Sequence, residues 1–114
     1  MAKDLFQGNI SLIGFGVLEP SELAVVNKII TTHYKQLNEK TGCNLLKIKL
    51  IQHQKGKSFL HEITAHAWIG KERVRSEVTE WNLYRGLGKI MEKIITESVH
   101  KHRLAKELGE ERIK

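Results

Sequence analysis

The sequence predicts an α+β fold, a four-stranded mixed sheet with two helices packed on one face, in the order β-α-β-β-β-α. Three observations predict it. A short apolar segment, a helical repeat and an alternating segment follow one another, which is the pattern of a parallel βαβ unit. Two further alternating segments separated by short turns then indicate an antiparallel meander. A long amphipathic segment comes last, and both helices need the same sheet face to bury their apolar sides.

The first half of the chain supplies a strand, a helix and a second strand. Ile10–Phe15 is apolar and ends among glycines, which is typical of a strand. Pro20, with its fixed φ and missing N–H, fits the first turn of a helix, and Gly42 is a natural C-terminal stop. The apolar residues of this helix recur every three or four positions: Leu23, Val26, Ile30, Tyr34 and Leu37. Residues 46–51 then alternate as the second strand.

The second half supplies two more strands, Phe59–Ile69 and Arg73–Thr79, and the long helix. Their inward residues are Ile63, Ala65, Ala67 and Ile69 in one strand and Val74, Ser76 and Val78 in the other. Asn82 is a favourable N-cap for the helix. The helix has an apolar stripe made of Leu83, Leu87, Ile90, Met91, Ile94 and Ile95. Gly86 and Gly88 weaken a helix by up to about 1 kcal/mol each, so we expect both to allow close packing against the sheet.

The length and composition indicate one folded domain. The chain has 114 residues, with no repeat and no linker-like segment, so we expect a single α+β domain over residues 1–103 and a charged C-terminal tail over residues 104–114. The long helix is expected to end in the basic cluster at residues 100–103. Cys43 is the only cysteine, and no apolar run suits a leader or a membrane span. We therefore expect a cytoplasmic protein without disulfides or membrane association.

Motifs that would indicate catalysis or metal binding are incomplete. His61 and His66 are five positions apart on a strand, so they should point to opposite faces instead of sharing a zinc ion. The glycine-containing turns lack the spacing of a phosphate-binding or dinucleotide-binding loop. Cys43 has no base assigned beside it, and we expect a buried, inert thiol. The sequence thus predicts no enzyme, no catalytic residue, no metal site, no cofactor and no small-molecule substrate.

Basic residues on two surfaces are the candidate RNA-binding site. Nineteen Lys and Arg against thirteen Asp and Glu give a formal net charge of +6, which favours nucleic acid or another acidic partner. The last helix contributes Arg85, Lys89, Lys93, His100, Lys101 and Arg103, and the uncovered sheet face contributes Lys47, Lys49, Arg73 and Arg75. The alternative for the helix is a solvated face whose cations are balanced by acids, with Glu97 pairing with Lys101.

The uncovered sheet face also carries hydrophobic residues, and its function stays open at this point. We place Phe15, Ile51 and Trp68 there, among the cations. Aromatic rings among basic residues can stack on unpaired bases. A mixed apolar and charged face serves equally well for a protein-interaction module, including a homodimer, without direct RNA binding.

Several short motifs resemble the ribosome hibernation factors, also called ribosome-associated inhibitors or ribosomal subunit interface proteins. The resemblance spans roughly residues 9–103. It is carried by the segments Ile10–Gly14, His66–Gly70, Val74–Val78, Leu83–Leu87, Glu92–Ile94 and His100–Arg103. The chain is similar to the short form of the family, because the residues after Arg103 are too few for a further dimerisation domain.

The resemblance implies a small cytoplasmic protein that binds RNA of the small ribosomal subunit. Members of the family occupy the channel used by messenger and transfer RNA and inhibit translation under stress by steric blocking, without a catalytic group. Residues carried over as the first RNA contacts are Lys89, Lys93, Lys101 and Arg103, with Arg85 and Lys47 after them. The first helix differs from the family pattern, since residues 24–33 offer only Lys28 and His33 as basic side chains.

Overall fold

The computed structural model of the chain describes the backbone of residues 5–7 and 9–113 and the side chains of residues 9–104. It confirms the α+β class and the β-α-β-β-β-α order. The elements are β1 Leu5–Gln7, β2 Ile10–Ile13, α1 Pro20–Thr41, β3 Leu45–Lys55, β4 Ser58–Ile69, β5 Glu72–Glu80 and α2 Leu83–Ile113. In the described part of the chain, no helix is long and apolar enough to cross a membrane.

The sheet follows chain order, β1-β2-β3-β4-β5. β2 and β3 are parallel across α1, and β3, β4 and β5 form the expected antiparallel meander. β1 was not predicted: it pairs antiparallel with β2 over three residues, too few to show a strand periodicity in the sequence. β5 is therefore an edge strand of the described sheet.

The junction between β2 and α1 differs from the prediction. β2 ends at Ile13, and a short 3-10 helix, Phe15–Val17, follows. Gly14 makes the bend at φ 82°, where a side chain would collide with the carbonyl oxygen of Leu50. Because the chain bends there, Phe15 enters the core and is 0% exposed. Its predicted place on the open sheet face is wrong.

Both helices pack on the same face of the sheet, as expected. α1 begins at Pro20, with the Glu19 backbone N–H donating to the Glu22 carboxylate at 2.9 Å, and it ends at Gly42 in the left-handed conformation, at φ 70°. All six predicted apolar residues of α2 are buried, together with the inward residues of β3 and with Ile63, Ala65 and Ala67 of β4, while Ile69 is partly buried. Cys43 is also buried, and this burial raises the pKa of its thiol, as suits an inert side chain.

The two helical glycines have different surroundings. A Cβ at Gly86 would lie 2.8 Å from Cδ1 of Ile63 and 3.1 Å from Cβ of Glu80, so the close packing predicted there is confirmed. A Cβ at Gly88 would meet nothing within 4 Å, so the same prediction is wrong for Gly88. The spacing of the two glycines along the helix did not distinguish the side that faces the sheet from the side that does not.

α2 does not end in the basic cluster but continues to Ile113. Residues 104–113 contain no proline and are mostly Ala, Leu, Lys, Arg and Glu, which are strong helix formers. The cluster at residues 100–103 thus lies inside the helix, too far from its end for the helix dipole to explain those cations. The division into a domain ending at residue 103 and a tail over 104–114 stays a prediction.

Candidate nucleic-acid interface

The open sheet face gathers four of the predicted cations around two aromatic rings. Lys47 and Lys49 on β3 and Arg73 and Arg75 on β5 are all exposed. The strand register aligns Lys47 and Arg75 on either side of His66 on β4, and it aligns Arg73 with Trp68. Lys49 lies one row away, opposite Thr64. We call the set Lys47, His66, Trp68, Arg73 and Arg75 the sheet patch.

His66 reports the electrostatic character of the sheet patch. Its ring lies 5.9 Å from that of Trp68, and its Nδ1 is buried without a hydrogen-bond partner among the described residues. Desolvation lowers the pKa of His66, and the positive charges of Arg73, Arg75 and Lys47 lower it further. The imidazole is therefore kept neutral in a positive potential that would attract an anion.

Acidic side chains neutralise the sheet patch only in part. The Arg75 guanidinium lies 3.2 Å from the Glu77 carboxylate, and both side chains are about half exposed. Among residues 9–104, Lys47, Lys49 and Arg73 have no carboxylate within 4.0 Å. The other acid on this face, Glu62, pairs with His53 at 2.9 Å, away from the sheet patch. A net positive area thus remains around Trp68.

Three lysines of α2 form ion pairs or a hydrogen bond with β5. Lys89 Nζ lies 2.7 Å from the Glu80 carboxylate, and Lys101 Nζ lies 3.6 Å from that of Glu72. Lys93 Nζ donates to the backbone carbonyl of Glu77 at 3.2 Å. The hydrogen bond from Lys89 is the main reason why the pKa of Glu80 is lowered. This side of α2 therefore faces the β5 edge, and two of its predicted RNA contacts already have carboxylate partners.

The expected pair between Glu97 and Lys101 is wrong. The Glu97 carboxylate accepts a hydrogen bond from the Ser76 hydroxyl at 3.0 Å, while Lys101 lies beside Glu72. Both side chains reach toward the strand instead of along the helix. The i,i+4 spacing permits the pair but does not exclude a better partner on another element.

A groove brings the two predicted surfaces together at the β5 edge. It has a volume of about 760 Å³ and is lined by Arg73 and Arg75 from the sheet patch and by His100 and Lys101 from α2. Leu104, which is exposed and was not singled out from the sequence, also lines it. Glu72 and Glu97 line the groove as well, so it connects the sheet patch to the second half of α2 through side chains of both charges.

The remaining predicted residues of α2 are exposed but do not join one compact site. Arg103 lines a separate cavity with Lys40 of α1, while Arg85 lies in the first turn of α2, roughly 27 Å from Arg103 along the helix axis at a rise of about 1.5 Å per residue. The Arg85 backbone N–H donates to the Asn82 side chain at 3.0 Å, which confirms Asn82 as the N-cap. The ten predicted RNA contacts thus fall into the sheet patch with Lys49, the groove, and a scattered remainder.

The two histidines considered for a metal site point to opposite faces, as predicted. His61 is buried on the helix side, with Nδ1 3.2 Å from the Glu80 carbonyl oxygen, whereas His66 lies on the open face. Among the described residues, no three His, Cys, Asp or Glu side chains form a group suited to a metal ion.

Comparison with known proteins gives a similarity of structure. No family model and no curated protein sequence match this chain. The crystal structure of the N-terminal domain of Protein Y from Thermus thermophilus is similar to it, with a TM-score of 0.52 and 14% sequence identity, over 73% of this chain and 84% of that one. The chain has the Protein Y N-terminal fold. The fold implied by the sequence resemblance is thereby confirmed.

Proposed function

We propose that this chain is an RNA-binding translation regulator that occupies the small ribosomal subunit and inhibits translation by steric blocking. Two independent lines support the proposal. Short motifs across residues 9–103 resemble the hibernation factors, and the fold is that of a domain of Protein Y, a ribosome-associated protein of that family. The expected cytoplasmic location is part of the same proposal.

The sheet patch is the observation that carries the RNA-binding part. Lys47 and Arg73 have no carboxylate within 4.0 Å among residues 9–104, and with Arg75 they lower the pKa of His66. Phosphates would occupy this positive field, and the half-buried Trp68 offers its exposed part to an unpaired base. Binding would displace counterions from the RNA without displacing an internal ion pair of the protein.

The second half of α2 extends this contact area. His100 and Lys101 line the groove together with Arg73 and Arg75 of the sheet patch, and the exposed Arg103 follows them in α2. Lys89 and Lys101 must exchange a carboxylate partner for a phosphate, so each adds less to affinity than an unpaired lysine. Inhibition requires only that the bound protein fill space needed by messenger or transfer RNA, so the mechanism depends on affinity and position and needs no catalytic group.

Sucrose-gradient sedimentation of the tagged chain with separated ribosomal subunits tests the proposal. We expect co-sedimentation with the small subunit and a parallel loss of translation in a cell-free system. If about six phosphates are contacted, log affinity should fall with log salt at a slope of roughly 4–5 in magnitude. Binding that does not respond to salt, or that occurs on the large subunit alone, would contradict the proposal.

A homodimer through the open sheet face is the alternative. Ile51, at 37% exposure, and Trp68 remain on that face, but the burial of Phe15 removes one of the three hydrophobic residues on which this alternative depended. Gel filtration of the chain and of its Trp68→Ser variant separates the two functions. A salt-insensitive dimer that dissociates on this change would favour self-association over RNA binding.

A further inference from the structure

A second cleft lies on the helix side of the sheet, where the β3–β4 hairpin passes the beginnings of both helices. It has a volume of about 690 Å³, which is within the roughly 300–1,000 Å³ usual for small-ligand sites. Leu18 and Glu22 line it beside α1, Leu83 and Tyr84 line it from α2, and the hairpin supplies the opposite wall. None of the predicted RNA contacts lines it.

Three exposed aromatic rings line this cleft. Phe59 of β4 is 44% exposed, Trp81 between β5 and α2 is 54% exposed, and Tyr84 of α2 is 36% exposed. They come from different elements, so no single amphipathic pattern accounts for them. Large aromatic surfaces left in water around one concavity are typical of a site that stacks on a planar ligand.

The wall of the cleft offers polar groups at its base and a cation. His61 is 8% exposed, and its Nδ1 lies 3.2 Å from the Glu80 carbonyl oxygen. A carbonyl can only accept, so Nδ1 carries the hydrogen in this contact, and in that tautomer Nε2 is an acceptor for a ligand N–H. Gln52 and Ser58 add an amide and a hydroxyl, and Lys57 adds a positive charge.

The one carboxylate on the cleft, that of Glu22, is engaged with the start of α1. Its Oε1 accepts the backbone N–H of Glu19 at 2.9 Å. The N-terminus of α2 also opens beside the cleft and favours negative charge there. The combination of stacking surface, hydrogen-bonding edge and cation matches the three parts of a nucleotide better than it matches an apolar side chain.

We propose that this cleft binds a nucleobase. The base stacks on Trp81 and Tyr84, its exocyclic or ring N–H donates to His61 Nε2, and the attached phosphate lies toward Lys57. A free nucleotide and an unpaired nucleotide of RNA share this chemistry. The proposal does not rest on the ribosome-binding function, because neither the sheet patch nor the groove contributes to the cleft.

Intrinsic fluorescence gives a direct test. The chain has two tryptophans, so the Trp68→Phe variant leaves Trp81 as the sole reporter. It is titrated with adenosine 5′-monophosphate, with hexa-adenylate, and with ribose 5-phosphate as the control that lacks a base. Saturable quenching by the mononucleotide supports a site for a free nucleotide, and quenching by hexa-adenylate alone supports a site for RNA. Quenching by neither, or equal quenching by ribose 5-phosphate, would overturn the proposal.

Paired variants in the reporter chain locate the binding. Tyr84→Ser should weaken it by about fivefold or more, since stacking on one aromatic ring contributes that much per base. Val25→Ser removes a similarly exposed hydrophobic residue of α1 outside the cleft and should leave the affinity unchanged. Thermal melts show that each variant is folded. Equal affinities of the two variants would overturn the proposal, whatever the ribosome sedimentation shows.

Discussion

The sheet patch and the exposed side of α2 carry cations of the same types but hold them differently. On the sheet, Lys47 and Arg73 have no carboxylate within 4.0 Å among residues 9–104. On α2, Lys89 and Lys101 each lie beside a carboxylate of β5, and Lys93 donates to a carbonyl of the same strand. The cations that the family resemblance ranked first are mostly the ones already bound to the protein.

The difference follows from what each surface faces. Side chains of the open sheet face point to solvent, and the nearest acid on that face, Glu77, pairs with Arg75 alone. α2 leans against β5, whose two ends carry Glu72 and Glu80 within reach of the helix lysines. A phosphate that binds an unpaired cation gains the full attraction. A phosphate that binds a cation of an existing ion pair must first replace the carboxylate of that pair. Affinity should thus depend more on the sheet than on the helix.

Removing equal charge from the two surfaces should give the largest contrast. We expect Lys47→Gln with Arg73→Gln to weaken small-subunit binding about tenfold or more at low salt and to reduce the magnitude of the salt slope by roughly 1.5, as loss of two phosphate contacts implies. Lys89→Gln with Lys101→Gln removes the same charge and should weaken binding less. Co-sedimentation at several salt concentrations measures both. A larger loss from the helix pair would reverse the proposed ranking.

The pH dependence of binding should distinguish the surfaces next. The pKa of His66 lies below its ordinary 6.5 because of burial and the three nearby cations. In the free protein, folding stability is highest above pH 6.5 and falls as pH drops from 6.5 through the lowered folded-state pKa of His66, because the unfolded chain takes up the proton more readily. Phosphates bound at the sheet patch should raise the pKa of His66. The affinity for RNA should therefore increase as the pH is lowered from 8 to 6.

NMR titration of the imidazoles checks this directly. Arg73→Gln should raise the pKa of His66, since it removes the cation that lowers this pKa most after burial, whereas Lys89→Gln should leave it unchanged because Lys89 is paired with Glu80. If the pKa of His66 does not respond to Arg73→Gln, the field ascribed to the sheet patch is absent.

The smallest expected effect is on thermal stability. Lys89→Gln should lower the Tm at pH 7 by about 1–4 °C, because the ion pair between the half-exposed Lys89 side chain and the largely buried Glu80 side chain is lost. Lys49→Gln, which breaks no ion pair among residues 9–104, should leave the Tm unchanged or raise it slightly.

The effect of Lys89→Gln should also depend on pH in a known direction. The lowered pKa of Glu80 means that its contribution is present above the ordinary 4.5 and is lost as pH falls through the folded-state pKa. Melts followed by circular dichroism at several pH values should therefore show a difference between variant and parent that is constant above pH 4.5 and declines as pH falls below it. A difference that does not decline with falling pH would mean that Lys89 stabilises the fold in another way.

Much of the fold could be predicted from local periodicity. The two-residue repeat of β4 assigned His61 and His66 to opposite faces, and the helical repeat of α2 assigned every one of its buried apolar residues correctly. Both predictions succeed because an element's own geometry sets the directions of its side chains. The end of α2 was placed too early because charge composition was taken as a boundary although no proline follows the cluster.

The candidate site was less predictable, since its decisive features join distant parts of the chain. The second cleft, on the helix side of the sheet, brings together Phe59, Trp81 and Tyr84 as well as Val17, and these residues share no periodicity. The signal that could have found it was the presence of large aromatic residues outside both apolar stripes. Phe15 was misplaced because a strand pattern continues through it, while the requirement for glycine at the Gly14 bend comes from the nearby Leu50 carbonyl of another strand.

The sequence by itself determined the order of the elements from β2 to α2, the inward faces of β3, β4, β5 and the two helices, and the excess of positive charge. The tertiary structure alone decided which cations are unpaired, which glycine touches the sheet and which aromatic rings share a cleft. The physical reason is that a side chain's direction depends on the backbone of its own element, whereas its neighbours depend on how that element packs on the others. Lys101 shows this: its helix spacing points to Glu97, but the packing of α2 on β5 gives it Glu72.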